Sequence, residues 1–297
     1  MNKNMTPRIS IITPVLNRVQ YLEETILSVI SQGYPDLEYI IIDGGSTDGT
    51  LEIIKKYEKS ISYWISEPDD GMYYALQKGF CRSSGEIMAW LNSDDIYKPG
   101  SLNMIASIFN DTGVEWISGM GSLYNKDGYC VKSNNLMKWS KSKIWFSDNI
   151  WIQQENVFWK RSLWKKSGGF ISTEFRYSGD FELWCRFFQN AELYSVHTSF
   201  AGFRLHGSQF TSDFRQEYEN EALSVAKKFA PATFKEKRKY YILAFLTYMK
   251  KIVIFSRILL FLEPVFSKLI DKLHNFPKII RYNFNALKWE IAWKKIR

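Results

Sequence analysis

The sequence predicts an α/β protein in which a mostly parallel β-sheet is flanked by helices and followed by a helical, basic C-terminal extension. Two observations lead to this prediction. Short apolar runs alternate with segments of helical apolar spacing in the first third of the chain, which is the pattern of βαβ units. Charge then divides the chain: residues 1–226 carry 22 basic and 27 acidic side chains, a net charge of −5, whereas residues 227–297 carry 17 and 4, a net charge of +13.

Four strands and three helices account for the first third of the chain. The strands are apolar runs at Arg8–Thr13, Leu37–Asp43, Ile61–Ser66 and Glu86–Leu91. The helices are segments at Val19–Gln32, Thr47–Tyr57 and about Gly71–Arg82. Val19, Leu22 and Ile26 illustrate the spacing of three and four residues that gives a helix one apolar face.

The later elements follow less regular patterns. Residues 119–157 are expected to form β-hairpins and loops, Gly179–Ala191 a helix, and Phe200–Ser212 a strand with a polar loop. Beyond about residue 214 the pattern is predominantly helical. We therefore expect a globular domain at residues 1–213, with halves at 1–118 and 119–213, and a separate helical region at residues 214–297.

Composition limits the class of protein. Three widely spaced cysteines, Cys81, Cys130 and Cys185, give neither a disulfide framework nor a metal-ligand pattern, so a reducing compartment is expected. The N-terminus lacks the apolar run of a signal peptide, which predicts a cytoplasmic protein. A mildly acidic first part argues against a nucleic-acid partner, because such proteins line their clefts with basic residues.

Polar clusters follow all four predicted strands. They read TPVLNR, DGGSTDGT, EPDDG and NSDD, in chain order. Because ligands of parallel sheets bind beyond the carboxyl ends of the strands, these clusters are expected to form one site. The adjacent carboxylates Asp94 and Asp95 would form a cation site there, although a turn with a helix N-cap uses the same residue types.

Several spaced motifs, taken in order, resemble family 2 glycosyltransferases of the GT-A fold, which has a Rossmann-like sheet. The motifs are IITPVLNR, IIDGGSTDGT, SEPDDGMYYALQKGF, WLNSDDIYKPG, GGF, GDFELWCRF and FRLHGSQFTS, and they span residues 8–212. The resemblance implies transfer of a sugar from a nucleotide-sugar donor, with inversion at the anomeric carbon and a divalent metal. It also implies that residues 1–118 bind the donor and residues 119–213 supply the acceptor site and the catalytic base.

The metal is expected to be Mn²⁺ or Mg²⁺, hard cations that use one or two carboxylates together with substrate phosphate oxygens. Asp94 is the main candidate ligand, and Asp95 is either a second ligand or the N-cap of a helix that starts near Pro99. The family motif is Asp-x-Asp, and Asn92 replaces its first Asp here. His206 resembles a C-terminal histidine that many such enzymes bring to the metal or pyrophosphate, although a lone histidine is more often structural.

The remaining donor contacts follow from the resemblance and from residue chemistry. Asp43 is expected to accept the N–H of a uracil base, with an Asx-turn as the alternative. Lys78 and Arg204 are expected to reach the diphosphate, and a solvated Lys78 is the alternative. The other residues assigned to the donor are Thr13, Pro14, Asn17, Asp70, Gly71, Asn92 and Ser93.

An inverting transfer needs one base to take the proton of the acceptor hydroxyl. The family places this base at the Asp of a Glu-Asp pair that opens a helix, and the matching pair here is Gly179-Asp180. Asp180 is therefore the predicted base, with a helix N-cap as its alternative role. Glu182 is a second candidate, but it points about 200° around the helix from Asp180. Trp151, Gln154 and Gly169 are expected near the acceptor or donor sugar, with core packing as the alternative for the tryptophan.

The basic tail contains one long apolar segment, at Lys239–Leu262, which basic residues interrupt too often for a transmembrane helix. Lys239, Lys250, Arg257 and Lys268 fall within about 20° of one another on a helical projection. This cationic stripe beside a broad apolar face predicts helices that lie on an anionic membrane surface. Packing against the globular domain or against a second copy in a homo-oligomer is the alternative.

Together these features predict a cytoplasmic enzyme, peripheral on the inner face of the cell membrane. We expect it to transfer a single sugar to a lipid-linked or oligosaccharide acceptor in synthesis of a bacterial surface polysaccharide of the O-antigen or lipopolysaccharide type. The alternatives are a non-catalytic, membrane-bound subunit that binds nucleotide sugars, and a nucleotidyltransferase built on a similar sheet.

Overall fold

The computed structural model describes residues 6–145, 151–207, 214–255 and 260–292. The main sheet contains β1 (Ile9–Val15), β2 (Leu37–Asp43), β3 (Tyr63–Ser66), β4 (Ile87–Trp90), β6 (Trp116–Ser118), β9 (Val157–Lys160) and β10 (Tyr194–Ser195). Its strand order is β10-β6-β9-β4-β1-β2-β3. Strands β1 to β4 pair in parallel, whereas β9 is antiparallel to both of its neighbours. The prediction of an α/β fold with a mostly parallel sheet is confirmed.

Helices connect and cover these strands. They are α1 (Val19–Ile30), α2 (Thr50–Lys56), α3 (Met72–Arg82), α4 (Ser101–Thr112), α5 (Lys141–Ile144), α6 (Arg161–Lys166) and α7 (Gly179–Asn190). Short 3₁₀ turns occur at Glu58–Ser60, Gln154–Asn156 and Leu260–Leu262. Every residue of β1 is buried, as expected for a central parallel strand covered on both faces.

A second sheet contains β5 (Ile96–Tyr97), β7 (Ser122–Tyr124), β8 (Cys130–Ser133) and β11 (Ala201–Arg204), in the order β5-β11-β7-β8. The antiparallel pairing of β11 with β5 matters most for the site. It places the loop after β11 beside the loop that joins β4 to β5. Residues more than a hundred positions apart in sequence therefore meet at one edge of the main sheet.

Much of the high aromatic content lies in the core. Trp90, Trp116, Trp159 and Trp184 are all buried, and Trp90 stacks on Trp184 with ring centroids 5.5 Å apart. Trp159 and Phe187 pack against the same group. Such rings remove large apolar areas from water, and their pairing adds roughly 0.5–1.5 kcal/mol per contact. This aromatic cluster fixes α7 against the sheet.

The C-terminal region contains α8 (Arg215–Lys228), α9 (Phe234–Phe255), α10 (Glu263–His274) and a hairpin of β12 (Ile279–Asn283) and β13 (Lys288–Ala292). The sequence pattern predicted a predominantly helical region, so the hairpin is a difference. Within the described part of the chain, no helix is both long and apolar enough to cross a membrane.

The hairpin packs onto the main body of the protein. Val196, which follows β10, forms a parallel bridge with Ile280, and His197 N donates a hydrogen bond to Ile280 O at 2.9 Å. Trp289 N donates to Asp111 Oδ2 of α4, also at 2.9 Å. Contacts therefore cross the division that was predicted after residue 213.

The predicted cationic stripe does not face solvent as a unit. Lys250 forms an ion pair with Glu263 at 3.0 Å. Lys239 lies 5.9 Å from the centre of the Trp145 ring, and burial lowers the pKa of its ammonium group. Lys268 is exposed on α10, and Arg257 lies outside the described residues. Lys239 and Lys250 therefore make contacts within the protein, and the position of these helices on a membrane surface stays a prediction.

Candidate active site

The loops after β1 and β2 interlock at the carboxyl edge of the sheet. Val15 pairs with Asp43 at the ends of the two strands. Asn17, which has a positive φ of 50°, donates its backbone N–H to Ser46 Oγ at 2.7 Å and accepts Thr47 N–H on Oδ1 at 2.9 Å. These bonds hold the exposed Asn17 and its neighbour Arg18 above the strand ends.

Asp94 lies between a histidine and an arginine. Its Oδ2 atom is 3.0 Å from His206 Nε2 and 3.7 Å from Arg18 Nε. The His206 ring stacks on Tyr21, with centroids 4.6 Å apart, which fixes its orientation. We call Asn17, Arg18, Asp94 and His206 the donor edge. It is a partly accessible carboxylate with an imidazole and a cation in reach, assembled from three separate loops.

The donor edge fits a metal that takes few ligands from protein. No group of three or more His, Cys, Asp or Glu residues suited to a metal occurs among the residues described. Asp94 and His206 nevertheless present an oxygen and a nitrogen within 3.0 Å of each other. Mg²⁺ and Mn²⁺ commonly take one or two protein ligands and complete their shell with phosphate oxygens and water. Asp94 and His206 can therefore serve as a two-ligand site.

Asp95 occupies a different environment. It is buried, its Oδ1 atom accepts Arg204 N–H at 2.9 Å, and its carbonyl accepts the Thr25 hydroxyl at 2.8 Å. Burial, together with the nearby charges of Asp94 and Glu155, raises the pKa of Asp95 well above its ordinary value. Its predicted role as a helix cap is wrong, because Gly100 occupies the N-cap of α4. The Oδ1 atom of Asp95 joins the start of β5 to β11, whereas its buried Oδ2 atom has no hydrogen-bond partner among the described residues, so the metal ligation stays a prediction.

Arg204 was expected to contact the diphosphate, and the structure gives it a structural role instead. The side chain is 1% exposed. Its guanidinium donates to Asp94 O at 2.8 Å, to Lys126 O at 3.0 Å and to Glu24 Oε2 at 2.6 Å. The accessible arginine beside Asp94 is Arg18, which the sequence reasoning missed. Its position directly after the first strand, in TPVLNR, was the available signal.

Asp43 also differs from its predicted role. The carboxylate is fully buried and accepts hydrogen bonds from Gly45 N at 3.0 Å, Ser46 N at 2.9 Å, Ser66 Oγ at 2.6 Å and the Ser46 hydroxyl. These contacts are the Asx-turn alternative, and they correct the predicted contact with a base N–H. Asp43 therefore shapes the loop whose Ser46 accepts the hydrogen bond from Asn17.

The other predicted donor residues divide by exposure. Thr13 and Pro14 are buried, and the Thr13 hydroxyl lies 3.1 Å from Tyr39 OH. Asp70 is exposed, and Gly71 has φ +126° with open space where a side chain would project. Lys78 forms a surface ion pair with Glu67 at 2.8 Å, and its contact with a diphosphate stays a prediction.

Two more predicted donor residues lie in the loop that carries Asp94. Ser93 is buried, which leaves little of its side chain open to a ligand. Asn92 is half-buried, and among the described residues its buried Oδ1 atom has no hydrogen-bond partner. Asn92 therefore keeps an unused acceptor next to Asp94.

Asp180 lies in the first turn of α7 and is partly exposed. Its Oδ1 atom accepts Phe181 N–H at 2.7 Å and the Tyr73 hydroxyl at 3.1 Å. Burial raises the pKa of this carboxyl to about 6. The N-cap position of α7 belongs to Ser178, so the alternative cap role of Asp180 is wrong. A carboxylate with this pKa is ionised at neutral pH and can still accept a proton readily.

Glu182 is unsuited to the role of base. It is buried and forms an ion pair with Arg186 at 2.8 Å in the same helix. Arg186 also donates to Phe170 O at 2.8 Å, so the pair joins α7 to the glycine turn before it. The geometry therefore favours Asp180 over the alternative base.

Two further residues hold Asp180 in position. The Tyr73 hydroxyl of α3 lies 3.1 Å from both Asp180 Oδ1 and Tyr177 O. Glu221 of α8 accepts three backbone N–H groups, from Arg176 at 3.1 Å, Tyr177 at 2.8 Å and Ser178 at 2.9 Å. We call Asp180, Tyr73 and Glu221 the base frame. Sequence reasoning missed Tyr73 and Glu221, because their partners are 107 and about 43–45 residues away.

The predicted sugar-contacting residues lie in different settings. Trp151 is exposed, and its ring centroid is 4.7 Å from that of Tyr218. Burial raises the pKa of Tyr218, and the charge of Asp180 raises it further. Gln154 is buried and donates to Trp90 O at 2.6 Å, which makes it a packing residue. Gly169 has φ +73° in the turn after α6. Residues 208–212 of the predicted His206 loop lie outside the described residues.

Comparison with known proteins gives concordant matches. The model of the family described as "Glycosyl transferase family 2" matches residues 10–173. An uncharacterized glycosyltransferase of Rickettsia prowazekii is 30% identical over 233 residues, which cover 74% of this chain and 72% of that protein.

Solved structures with the same fold include two complexes with nucleotide sugars. S. aureus TarS 1–349 in complex with UDP-GlcNAc has a TM-score of 0.58 and 14% identity, with 98% of both chains covered. The mannosyltransferase PcManGT from Pyrobaculum calidifontis, in complex with GDP-Man and Mn²⁺, has a TM-score of 0.54 and 16% identity, with 89% of this chain and 85% of that chain covered. At such low identities, the likeness shows the fold alone.

Proposed function

Because this chain belongs to glycosyl transferase family 2, we propose that it transfers a single sugar from a nucleotide diphosphate sugar, with inversion and with a divalent metal. A UDP-sugar is the expected donor. The observation that carries the proposal is the presence of two distinct carboxylates beside strands of the main sheet: Asp94 follows β4, and Asp180 accepts a hydrogen bond from Tyr73 at the start of α3, which follows β3. Asp94 is paired with His206 and Arg18, whereas Asp180 stands apart with a pKa raised to about 6.

The donor edge suits the diphosphate of the donor. Asp94 and His206 would hold Mn²⁺ or Mg²⁺, and such an ion, when bound, neutralises charge on a diphosphate leaving group. Arg18, with its guanidinium 3.7 Å from Asp94, supplies a further positive charge at the same place. Asn17 follows β1 and Asp70 follows β3, and both residues are exposed. They are the proposed contacts to the nucleoside and the sugar.

The base frame suits removal of one proton. In the proposed reaction the acceptor oxygen forms a bond to the anomeric carbon, and the bond from that carbon to the nucleotide diphosphate breaks. Asp180 accepts the hydroxyl proton of the acceptor, and the nucleotide diphosphate leaves with the bonding electrons. Attack from the face opposite the leaving group gives inversion. The pKa of about 6 keeps Asp180 ionised at pH 7 and thus ready to act as the base.

The acceptor is proposed to be a lipid-linked or free oligosaccharide in surface-glycan synthesis, presented at the inner face of the cell membrane. Two features support this. Trp151 exposes an aromatic ring beside Tyr218, where a sugar could stack. The C-terminal region carries a net charge of +13 over residues 227–297, which favours an anionic surface.

A panel of nucleotide sugars tests this proposal. Thermal unfolding is followed with UDP-, GDP- and dTDP-sugars, each with and without Mn²⁺, because a ligand that binds the folded state raises its stability. We expect one nucleotide class to stabilise the protein only when Mn²⁺ is present. The anomeric configuration of the product, read by NMR, then tests inversion. If no nucleotide stabilises the protein, the proposed function is wrong.

A further inference from the structure

The exposed surface of α9 carries one continuous apolar stripe. Its members are Phe234, Tyr241, Phe245, Tyr248 and Ile252, which are between 40% and 83% exposed. At 100° per residue they fall within an arc of about 60°. Leu243 and Val253, which are buried, lie on other sides of the helix. Ile242 and Ile254 are 40% and 49% exposed outside this arc, whereas the aromatic side chains of the stripe are 61% to 83% exposed. The most exposed apolar side of α9 is therefore its aromatic side, which is unusual for a helix at a surface in contact with water.

Basic side chains flank this stripe. Lys237 and Arg238 are exposed, and on the helical projection they lie at about 20° beyond either margin of the stripe. Among the other basic side chains that the structure places on the helix, Lys239 and Lys250 face residues of the protein, whereas Lys235 and Lys251 are exposed farther around the helix. The aromatic stripe thus has its own positive margin, separate from the basic residues that the protein itself uses.

The neighbouring helix also exposes apolar side chains. α10 packs against α9 and exposes Val265 and Leu269. Lys268 and Lys272 are exposed on the same helix. Apolar side chains next to basic ones therefore recur on both helices of the pair.

We propose that the apolar stripe of α9 lies in the plane of an anionic lipid bilayer, with Phe245 and Tyr248 facing the acyl chains. This inference rests on the proposed function and names the surface that makes the enzyme peripheral. Aromatic and aliphatic side chains bury favourably at the boundary between headgroups and acyl chains, and Lys237 and Arg238 meet anionic headgroups. A second copy of the chain is the weaker occupant, because a two-fold contact through this region would bring two strongly basic surfaces together.

Vesicle flotation of the full chain tests the inference. The vesicles are phosphatidylcholine alone and phosphatidylcholine mixed with phosphatidylglycerol. We expect the wild type to float with the mixed vesicles. Phe245→Ser combined with Tyr248→Ser should reduce the vesicle-bound to free ratio by at least about tenfold, because two exposed rings lose their burial in lipid. Lys237→Gln combined with Arg238→Gln should reduce flotation only with the mixed vesicles.

A matched control removes an equal number of exposed apolar side chains elsewhere. Tyr129 and Val131 are exposed at the β8 side of the second sheet, and Tyr129→Ser combined with Val131→Ser should leave flotation unchanged. Unchanged flotation of the Phe245 and Tyr248 variant would overturn the inference. So would wild-type protein that fails to float with either vesicle, or a Phe245 and Tyr248 variant that floats normally but converts a dimer to a monomer.

Nucleotide-dependent thermal stabilisation separates this inference from the proposed function. The Phe245 and Tyr248 variant should retain it fully, because both residues lie on α9 and outside the donor edge and the base frame. A wild type that floats but is stabilised by no nucleotide would overturn the proposed function and leave the membrane surface standing. A wild type that is stabilised by a nucleotide but does not float would do the opposite.

Discussion

The donor edge and the base frame are built in different ways, although both serve one proposed reaction. The donor edge consists of loops that follow strands, and its carboxylate Asp94 stays partly accessible beside Arg18 and His206. The base frame is assembled from α3, α7 and α8, and there burial raises the pKa of Asp180 to about 6. Under the proposed function, the donor edge binds a charged ligand, whereas the base frame sets the pKa of a single carboxylate. Variants of the donor edge should therefore change the binding of nucleotide and metal, and variants of the base frame should change kcat.

The largest expected effect comes from the base itself. Asp180→Asn keeps the shape of the side chain but cannot accept a proton from the acceptor. General base catalysis contributes about 10²–10⁴-fold, so kcat should fall by that factor. Nucleotide-dependent thermal stabilisation should remain at the wild-type level, because Asp180 lies outside the donor edge. Steady-state kinetics and thermal unfolding measure the two quantities on the same preparation.

The same chemical change at an exposed aspartate is the control. Asp127→Asn alters a residue that is exposed in the turn between β7 and β8, and both quantities should stay at wild-type values. An Asp180→Asn protein with wild-type kcat would show that another group removes the proton. The contrast between the two halves of the site would then be lost.

The donor edge should respond in binding. Asp94→Asn removes one of the two proposed metal ligands, and we expect the affinity for Mn²⁺ in the presence of nucleotide to fall by at least about tenfold. Titration of Mn²⁺ against thermal stability at a fixed nucleotide concentration measures this. His206→Gln should act in the same direction. If the Asp94→Asn protein has the wild-type Mn²⁺ dependence, the ion is held elsewhere and the two-ligand site is wrong.

Glu221 connects the C-terminal region to the base frame, and its removal should affect stability. In Glu221→Ala the backbone N–H groups of residues 176–178 lose their common acceptor, which costs roughly 1–3 kcal/mol of unfolding free energy. Urea unfolding measures it. Glu217→Ala removes an exposed glutamate of the same helix and should change stability by less than about 0.5 kcal/mol. Equal losses in the two variants would mean that Glu221 acts only through the helix.

The sequence predicted what depends on local pattern. The parallel strands and their helices follow from apolar periodicity, and the position of Asp94 follows from the rule that parallel strands present their carboxyl ends to ligands. The burial of Arg204 and Asp95 was missed. Both lie in stretches that resemble site loops, and only the pairing of β11 with β5 shows that they bond to each other.

Long-range contacts explain the other failures. The hydrogen bond from the Tyr73 hydroxyl to Asp180 joins two helices, and neither local sequence predicts it. The hairpin of β12 and β13 forms on the edge of the main sheet, so its partner Val196 lies far back in the chain. On α9 the helical period was predicted correctly, but the pattern gave no contacts for Lys239 and Lys250. The residues they contact, Trp145 and Glu263, lie on other elements.

The smallest expected effect tests how the base frame sets the pKa of Asp180. The Tyr73 hydroxyl stabilises the ionised form of Asp180 by a hydrogen bond, so Tyr73→Phe should raise the pKa of Asp180 further above its ordinary value. Turnover requires the ionised carboxylate, and the wild-type rate should therefore rise with pH through about 6 and then level off. In Tyr73→Phe the rising limb should move to higher pH by roughly one unit or less, since one unit corresponds to about 1.4 kcal/mol. Tyr74→Phe, at the exposed neighbouring tyrosine of the same helix, should leave the limb in place. A Tyr73→Phe profile that loses rate equally at every pH would mean that Tyr73 only supports the fold, whereas a shifted limb with an unchanged plateau would identify it as the residue that positions and tunes the base.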